Sequence, residues 1–193
     1  MNMLLEYKNN LLLICLATSI SACSGTPAPI EINSQQKVLV LVNKNAPAWV
    51  NNGSGMLHKQ DSRMFIGVAS AVPAGDMAQQ KAEADDKARA EVSRVLASYM
   101  VVVAKDYAGA CLSPSPVPQQ LNNAEKIAMA NARIIASWRD PQSNSIWVMS
   151  ELDMKYVKDA LPELTNSTID VKGFFESNAD VIFDRLNKDV NIQ

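Results

Sequence analysis

Residues 77–107 carry apolar side chains at a helical period for about eight turns, and this run constrains the architecture more than any other part of the chain. Met77, Ala84, Ala88, Val92, Val95, Tyr99 and Val102 form one stripe, while Gln80, Glu83, Asp86, Lys87, Arg94 and Lys105 fall mostly elsewhere. That is the signature of a helix with one face on a core. Pro73 and Gly75 mark a turn before it, and Asp76 is a suitable N-cap with Gln79 three residues on, as in a capping box. Unbroken, the helix is about 45 Å long at 1.5 Å per residue. A compact domain built from this chain is roughly 40 Å across. The helix must therefore bend, stop early or pack on a partner. A defect would fall at the β-branched Val101-Val102-Val103, but residues 104–107 can continue a helix, so continuation is expected.

The remaining pattern supplies a sheet for that helix. Residues 64–71 (Met-Phe-Ile-Gly-Val-Ala-Ser-Ala) read as a strand and residues 38–42 (Val-Leu-Val-Leu-Val) as a shorter one. Residues 132–138 and 145–152 read as a hairpin joined by the turn formers of residues 139–144. Ile134, Ala136 and Trp138 alternate on one strand, and Ile146, Val148 and Leu152 on the other; both sets are expected beneath the long helix. Trp147 is in the opposite register. It is a candidate partner contact, with packing beneath a terminal helix as the alternative. Residues 51–55 are turn-rich, and residues 113–118 (Ser-Pro-Ser-Pro-Val-Pro) read as an exposed loop. Short helices are expected over 121–129 and 154–161, the second ended by Pro162. Asp170 caps a last helix with a stripe of Val171, Phe175, Ala179, Ile182 and Leu186. The fold class is α+β: a small antiparallel sheet of three to four strands against one long helix, with additional C-terminal helices.

The N-terminus carries an address. Residues 11–20 are apolar and run into Ile20-Ser21-Ala22-Cys23, so small residues precede a cysteine at the first mature position. This reads as a lipoprotein signal peptide over residues 1–22, cleaved between Ala22 and Cys23, with lipid on the Cys23 thiol. Glu6 and Lys8 cancel, leaving the N-terminal amine as the positive charge of the leader. The apolar run is too short to span a bilayer, which takes about 20 residues. Residues 23–37, rich in Ser, Gly, Thr, Pro and Gln, read as the lipidated terminus and a tether with an rms reach of about 20 Å. Residues 38–193 are one domain. Ser24, where an aspartate would signal inner-membrane retention, directs the expectation to the outer membrane, with the domain facing the periplasm.

Of three cysteines, Cys15 leaves with the leader and Cys23 takes lipid, so Cys111 is left without an intramolecular partner; a buried small hydrophobe is the simple reading of it. The net charge of −2 gives no basic excess for a nucleic-acid partner.

No catalytic, metal-binding or cofactor pattern stands out. His58, the single histidine, falls in an expected loop with no nucleophile beside it, and a zinc site with Cys111 would still need two further ligands. Ser54 between Gly53 and Gly55 lacks the spacing of a nucleophile elbow. Asp85-Asp86 reads as a solvated face, and Gly67 lacks the further glycines of a dinucleotide loop. The expectation is a protein that is not an enzyme and holds no cofactor.

Pro47-Ala48-Trp49, then Phe65-Ile66-Gly67-Val68-Ala69-Ser70, then the Ala-rich residues 84–91, then Ala136-Ser137-Trp138 and Ile146-Trp147-Val148 occur in an order that resembles the Lpp-twenty type of bacterial outer-membrane lipoproteins, a family with FlgP-like flagellar members. The resemblance covers about residues 47–153 and leaves 154–193 as a helical extension. It implies an α+β domain without catalytic residues, anchored in the outer membrane, with a structural or assembly role that in some members concerns the flagellum. Small Ala84 and Ala88 then let the helix approach the sheet over Gly67, while Arg89 and Glu91 stay wet. Candidate partners are the outer membrane through Cys23, further copies of the chain, and envelope or flagellar basal proteins. The alternative is a tethered regulatory or binding module acting on a peptidoglycan synthase or the cell wall.

Overall fold

The 77–107 stripe forms one unbroken helix, Met77–Ala110, three residues longer than its sequence pattern and about 51 Å at 1.5 Å per residue. It belongs to a computed structural model that describes residues 44–110, 117–161 and 171–190, all within one compact unit. In chain order these are α1 (Ala48–Asn52), β1 (Gly55–Lys59), β2 (Ser62–Ala71), α2 (Met77–Ala110), α3 (Val117–Met129), β3 (Arg133–Arg139), β4 (Ile146–Asp153), α4 (Met154–Asp159) and α5 (Val171–Val190). The four strands make one antiparallel sheet in the order β1-β2-β4-β3. The fold is the expected α+β arrangement. Its fourth strand, however, is β1; residues 38–42 lie outside the described residues, as do Ala22, Cys23, Cys111 and Asp170.

Helix α2 uses its two halves differently. The N-terminal half lies on β2 and β4 through Ala84 and Ala88, which are fully buried with Ala71, Ile146 and Val148. Gly67 makes this closeness achievable: a Cβ there would stand 2.6 Å from the Val92 amide nitrogen and collide with the Ala88 carbonyl oxygen. The C-terminal half carries larger side chains, Leu96, Tyr99, Met100, Val103 and Tyr107, which are buried in one core with residues of α3, α4 and α5 and with Phe65 and Leu152 of the sheet. Phe65, Tyr99, Phe175 and Phe183 meet there edge-on or tilted, with centroids 5.3–6.3 Å apart. Tyr107 packs against Phe174. The helix therefore does not stop early, and α3 and α5 pack against it.

Several local expectations are corrected. Met77 was placed on the buried stripe but is 55% exposed, because the sheet ends at Ala71 and leaves nothing for that turn to cover. Gln80, placed among the solvated positions, is buried one turn later; its Nε2 donates to the carbonyls of Ala71 (2.9 Å) and Asn144 (3.0 Å), pinning the helix start to both sheet-end turns. At the cap, Asp76 Oδ1 accepts from the Ala78 amide. Helix α3 begins at Val117, not at residue 121, so Pro118 stands in its first turn, where proline costs nothing. The last helix buries Val171, Phe175, Ala179 and Ile182 as expected, with Leu186 at the edge of the core.

The hairpin departs from expectation in a way that decides which face its tryptophans occupy. Pairing shifts register between Ile134 and Ala136, leaving Ile135 as a bulge, 41% exposed. Ile134 packs with Ala84, Ala88 and Val148 on the α2 face. Ala136 and Trp138, expected on that face too, pair with Met149 and Trp147 and so lie on the other. One extra residue inverts the alternation.

Candidate functional site

The face turned away from α2 holds all three tryptophans of the chain. Trp49, from α1, and Trp147 and Met149, from β4, pack on the buried Met64, Ile66 and Val68 of β2. Trp138 stands directly opposite Trp147 across the β3–β4 ladder. Trp147 thus occupies the outward register assigned to it, half-buried, with Ser70 opposite it on β2. Among the described residues, the only helix on this face is the five-residue α1.

The turn leaving α1 is built to hold that helix down. Gly53 adopts φ +69°, a conformation glycine reaches without a Cβ penalty. Ser54 then stands where the β1 ladder ends and replaces it: its Oγ accepts from the Val68 amide (2.9 Å) and donates to the Val68 carbonyl (3.2 Å). The hydroxyl that superficially suggested a nucleophile is a ladder rung. Between this turn, β1 and the sheet lies a cavity of about 380 Å³, lined by Trp49, Met56, Leu57, Ile66 and Met149, with Leu57 47% exposed at its rim.

A buried carboxylate sits on the same face. Glu151, its side chain 4% exposed, accepts from Lys59 of β1 (3.3 Å) and Arg133 of β3 (2.9 Å), whose own side chains are mostly solvated. Two edge strands thereby extend cationic arms over the apolar face, and each arm keeps further donors for another acceptor.

The opposite face carries a polar group that fastens α5. Arg63 makes a two-pronged contact with Asp184, 2.8 Å on each arm, and lies 3.4 Å from Asp180, which Lys158 of α4 also reaches at 2.9 Å. The Arg63 hydrogen bond holds the Asp184 carboxyl below its ordinary pKa, and Asp184 in turn raises that of Arg63. His58, expected in a loop, is a strand residue of β1; its Nε2 is 3.2 Å from Asp184 Oδ1 and its ring meets Phe183 edge-on. The histidine adds to the hold on α5. Behind it, burial pushes the Tyr99 hydroxyl up, and that hydroxyl donates to the Ala179 carbonyl at 2.8 Å.

The other residues weighed for chemistry are dispersed. Asp85 pairs with Lys81 one turn away on α2, and Arg89, exposed, donates to the Ala132 carbonyl. Among the described residues no group of three His, Cys, Asp or Glu side chains is placed to hold a metal ion. No described helix is long and apolar enough to cross a membrane. The signal that sequence reasoning missed was β2 itself: Met64, Ile66 and Val68 are apolar at the parity opposite to Phe65, so both faces of that strand are built for burial. Compared with known proteins, the chain matches no family model and no curated protein.

Proposed function

We propose that this chain is a non-enzymatic lipoprotein of the Lpp-twenty type, held in the outer membrane through lipid on Cys23, with a structural or assembly role on the periplasmic side, where the flagellar base is one candidate site. The observation that carries the reading is the pairing of a lipobox with a domain whose tryptophan-bearing sheet face has a five-residue helix as its only described helical cover. Tests of the anchor and of the role are separate. Cys23→Ser should abolish labelling by a radioactive fatty acid and leave the precursor unprocessed; continued labelling refutes the lipidation. In-cell crosslinking followed by purification should return copies of the chain or flagellar basal components, and deletion should impair motility or envelope integrity. Return of a peptidoglycan synthase alone would favour the tethered regulator instead, a role that the short tether also suits.

A further inference from the structure

We infer that the sheet face carrying Trp49, Trp138 and Trp147 is a membrane-contact surface, docking at the headgroup level of the phospholipid layer in which the Cys23 lipid is held; the inference rests on the lipid-anchor reading above. Its occupant is argued from three features. The residues are those that settle at a bilayer interface: tryptophan presents a large apolar ring with one polar edge, and such rings concentrate at headgroup depth. Lys59 and Arg133 reach Glu151 on the same face, further along the strands, with largely solvated side chains and spare donors for phosphate oxygens.

The attachment point is the second feature. The first described residue, Lys44, is five residues before Trp49 and so within about 18 Å of this face. Between Cys23 and Lys44 lie 20 residues, of which residues 24–37 have the tether composition and an rms reach of about 20 Å. That length of chain lets a face near Trp49 meet the bilayer while Cys23 stays anchored in it.

Affinity is the third. Linkage through a short tether gives an effective concentration in the millimolar range, so a contact too weak to hold a free protein is still well populated. Half-buried tryptophans and a single exposed leucine suffice for such a contact. In this orientation α2, α3 and α5, on the other side of the sheet, point into the periplasm and are the surface offered to protein partners.

The test uses the mature lipoprotein in vesicles of phosphatidylethanolamine and phosphatidylglycerol, 3:1, with acyl chains brominated near the headgroup. Because the three tryptophans all lie on this face, the whole tryptophan emission reports it. Bromine should remove at least one tryptophan's share, about a third of the emission. In Trp147→Phe the amount of emission removed by bromine should fall, with flotation on the vesicles unchanged. Flotation with unquenched emission overturns the docking while leaving the anchor standing, and failure to float overturns both. Emission protected from the brominated lipid and from aqueous iodide alike, with a doubled mass in detergent, overturns it in favour of a second copy on this face.

Discussion

Replacing Gly67 by alanine adds one methyl group where the sheet and the long helix are closest, and the structure fixes what that methyl meets. The added carbon lands 2.6 Å from the Val92 amide nitrogen, 2.9 Å from Val92 Cγ2 and closer still to the Ala88 carbonyl oxygen. Two of these are helix backbone, so no rotamer change relieves them. Restoring ordinary contact at 3.4 Å requires α2 to lift from β2 by about 1 Å. A gap of that size forfeits roughly a quarter to a half of the dispersion energy between the surfaces it separates. Here those surfaces include Ala84, Ala88, Val92 and Val148, none of them exposed. Overpacking costs typically about 1–3 kcal/mol, and a contact with rigid backbone on both sides belongs at the upper end. For a domain of this length about 3 kcal/mol lowers the melting temperature by roughly 6–12 °C. Thermal unfolding of the mature protein followed at 222 nm measures it. Gly55→Ala is the control, since a Cβ there meets nothing within 4 Å. A Gly67→Ala protein that melts within about 2 °C of the control would refute the close packing.

Three further outcomes follow from named contacts. Gln80→Leu strips donors from the Ala71 and Asn144 carbonyls and should cost about 1–3 kcal/mol in urea unfolding, while Gln80→Glu, which presents oxygens to oxygens, should cost more. Folding lowers the Asp184 pKa, so the folded state binds fewer protons there; the Arg63–Asp184 contribution is whole above about pH 4 and is lost as pH falls below it. Both groups are partly solvated, so the loss is about 1 kcal/mol, and Arg63→Ala should remove the step from a stability profile between pH 6 and 3. A chain ending at Asp153 loses Phe175 and Phe183 from the Phe65–Tyr99 cluster and the Ala179 acceptor from Tyr99, and should lack the near-ultraviolet signal of fixed aromatic packing.

What was legible in the residues was whatever depended on periodicity. The α2 stripe and the α5 stripe of Val171, Phe175, Ala179 and Ile182 repeat often enough for burial to show as a pattern, and the β3–β4 hairpin was legible as two strands and a turn, though not in which face β3 turns to the helix. Features set by one residue were not. The Ile135 bulge leaves no trace in the alternation of residues 133–139, yet it moves Trp138 to the other side of the sheet. Gln80 is buried because two carbonyls from distant turns need its amide, a tertiary demand that a helical wheel does not register. His58 followed a Gly-rich stretch and read as loop; β1 is short and its pattern too brief to stand against that. For the candidate site, Trp147 was legible by parity, whereas its assembly with Trp49 and Trp138 required the fold.

The long helix and the sheet exchange their significance once the C-terminal helices are in place. A helix of about 51 Å in a domain of this size demands something to cover its far end, and from sequence that demand pointed to a partner. Phe174, Phe175, Ala179 and Phe183 meet it from within the chain, so the length of α2 carries no weight for association. The unmet demand is on the sheet. β2 alternates nothing: Met64, Phe65, Ile66 and Val68 are all buried, the composition of a strand covered on both sides, while the described helices on its second side amount to α1. A strand with apolar residues at both parities, beside the short helix α1 that carries Trp49, places the search for an external contact on the tryptophan face rather than along the helix.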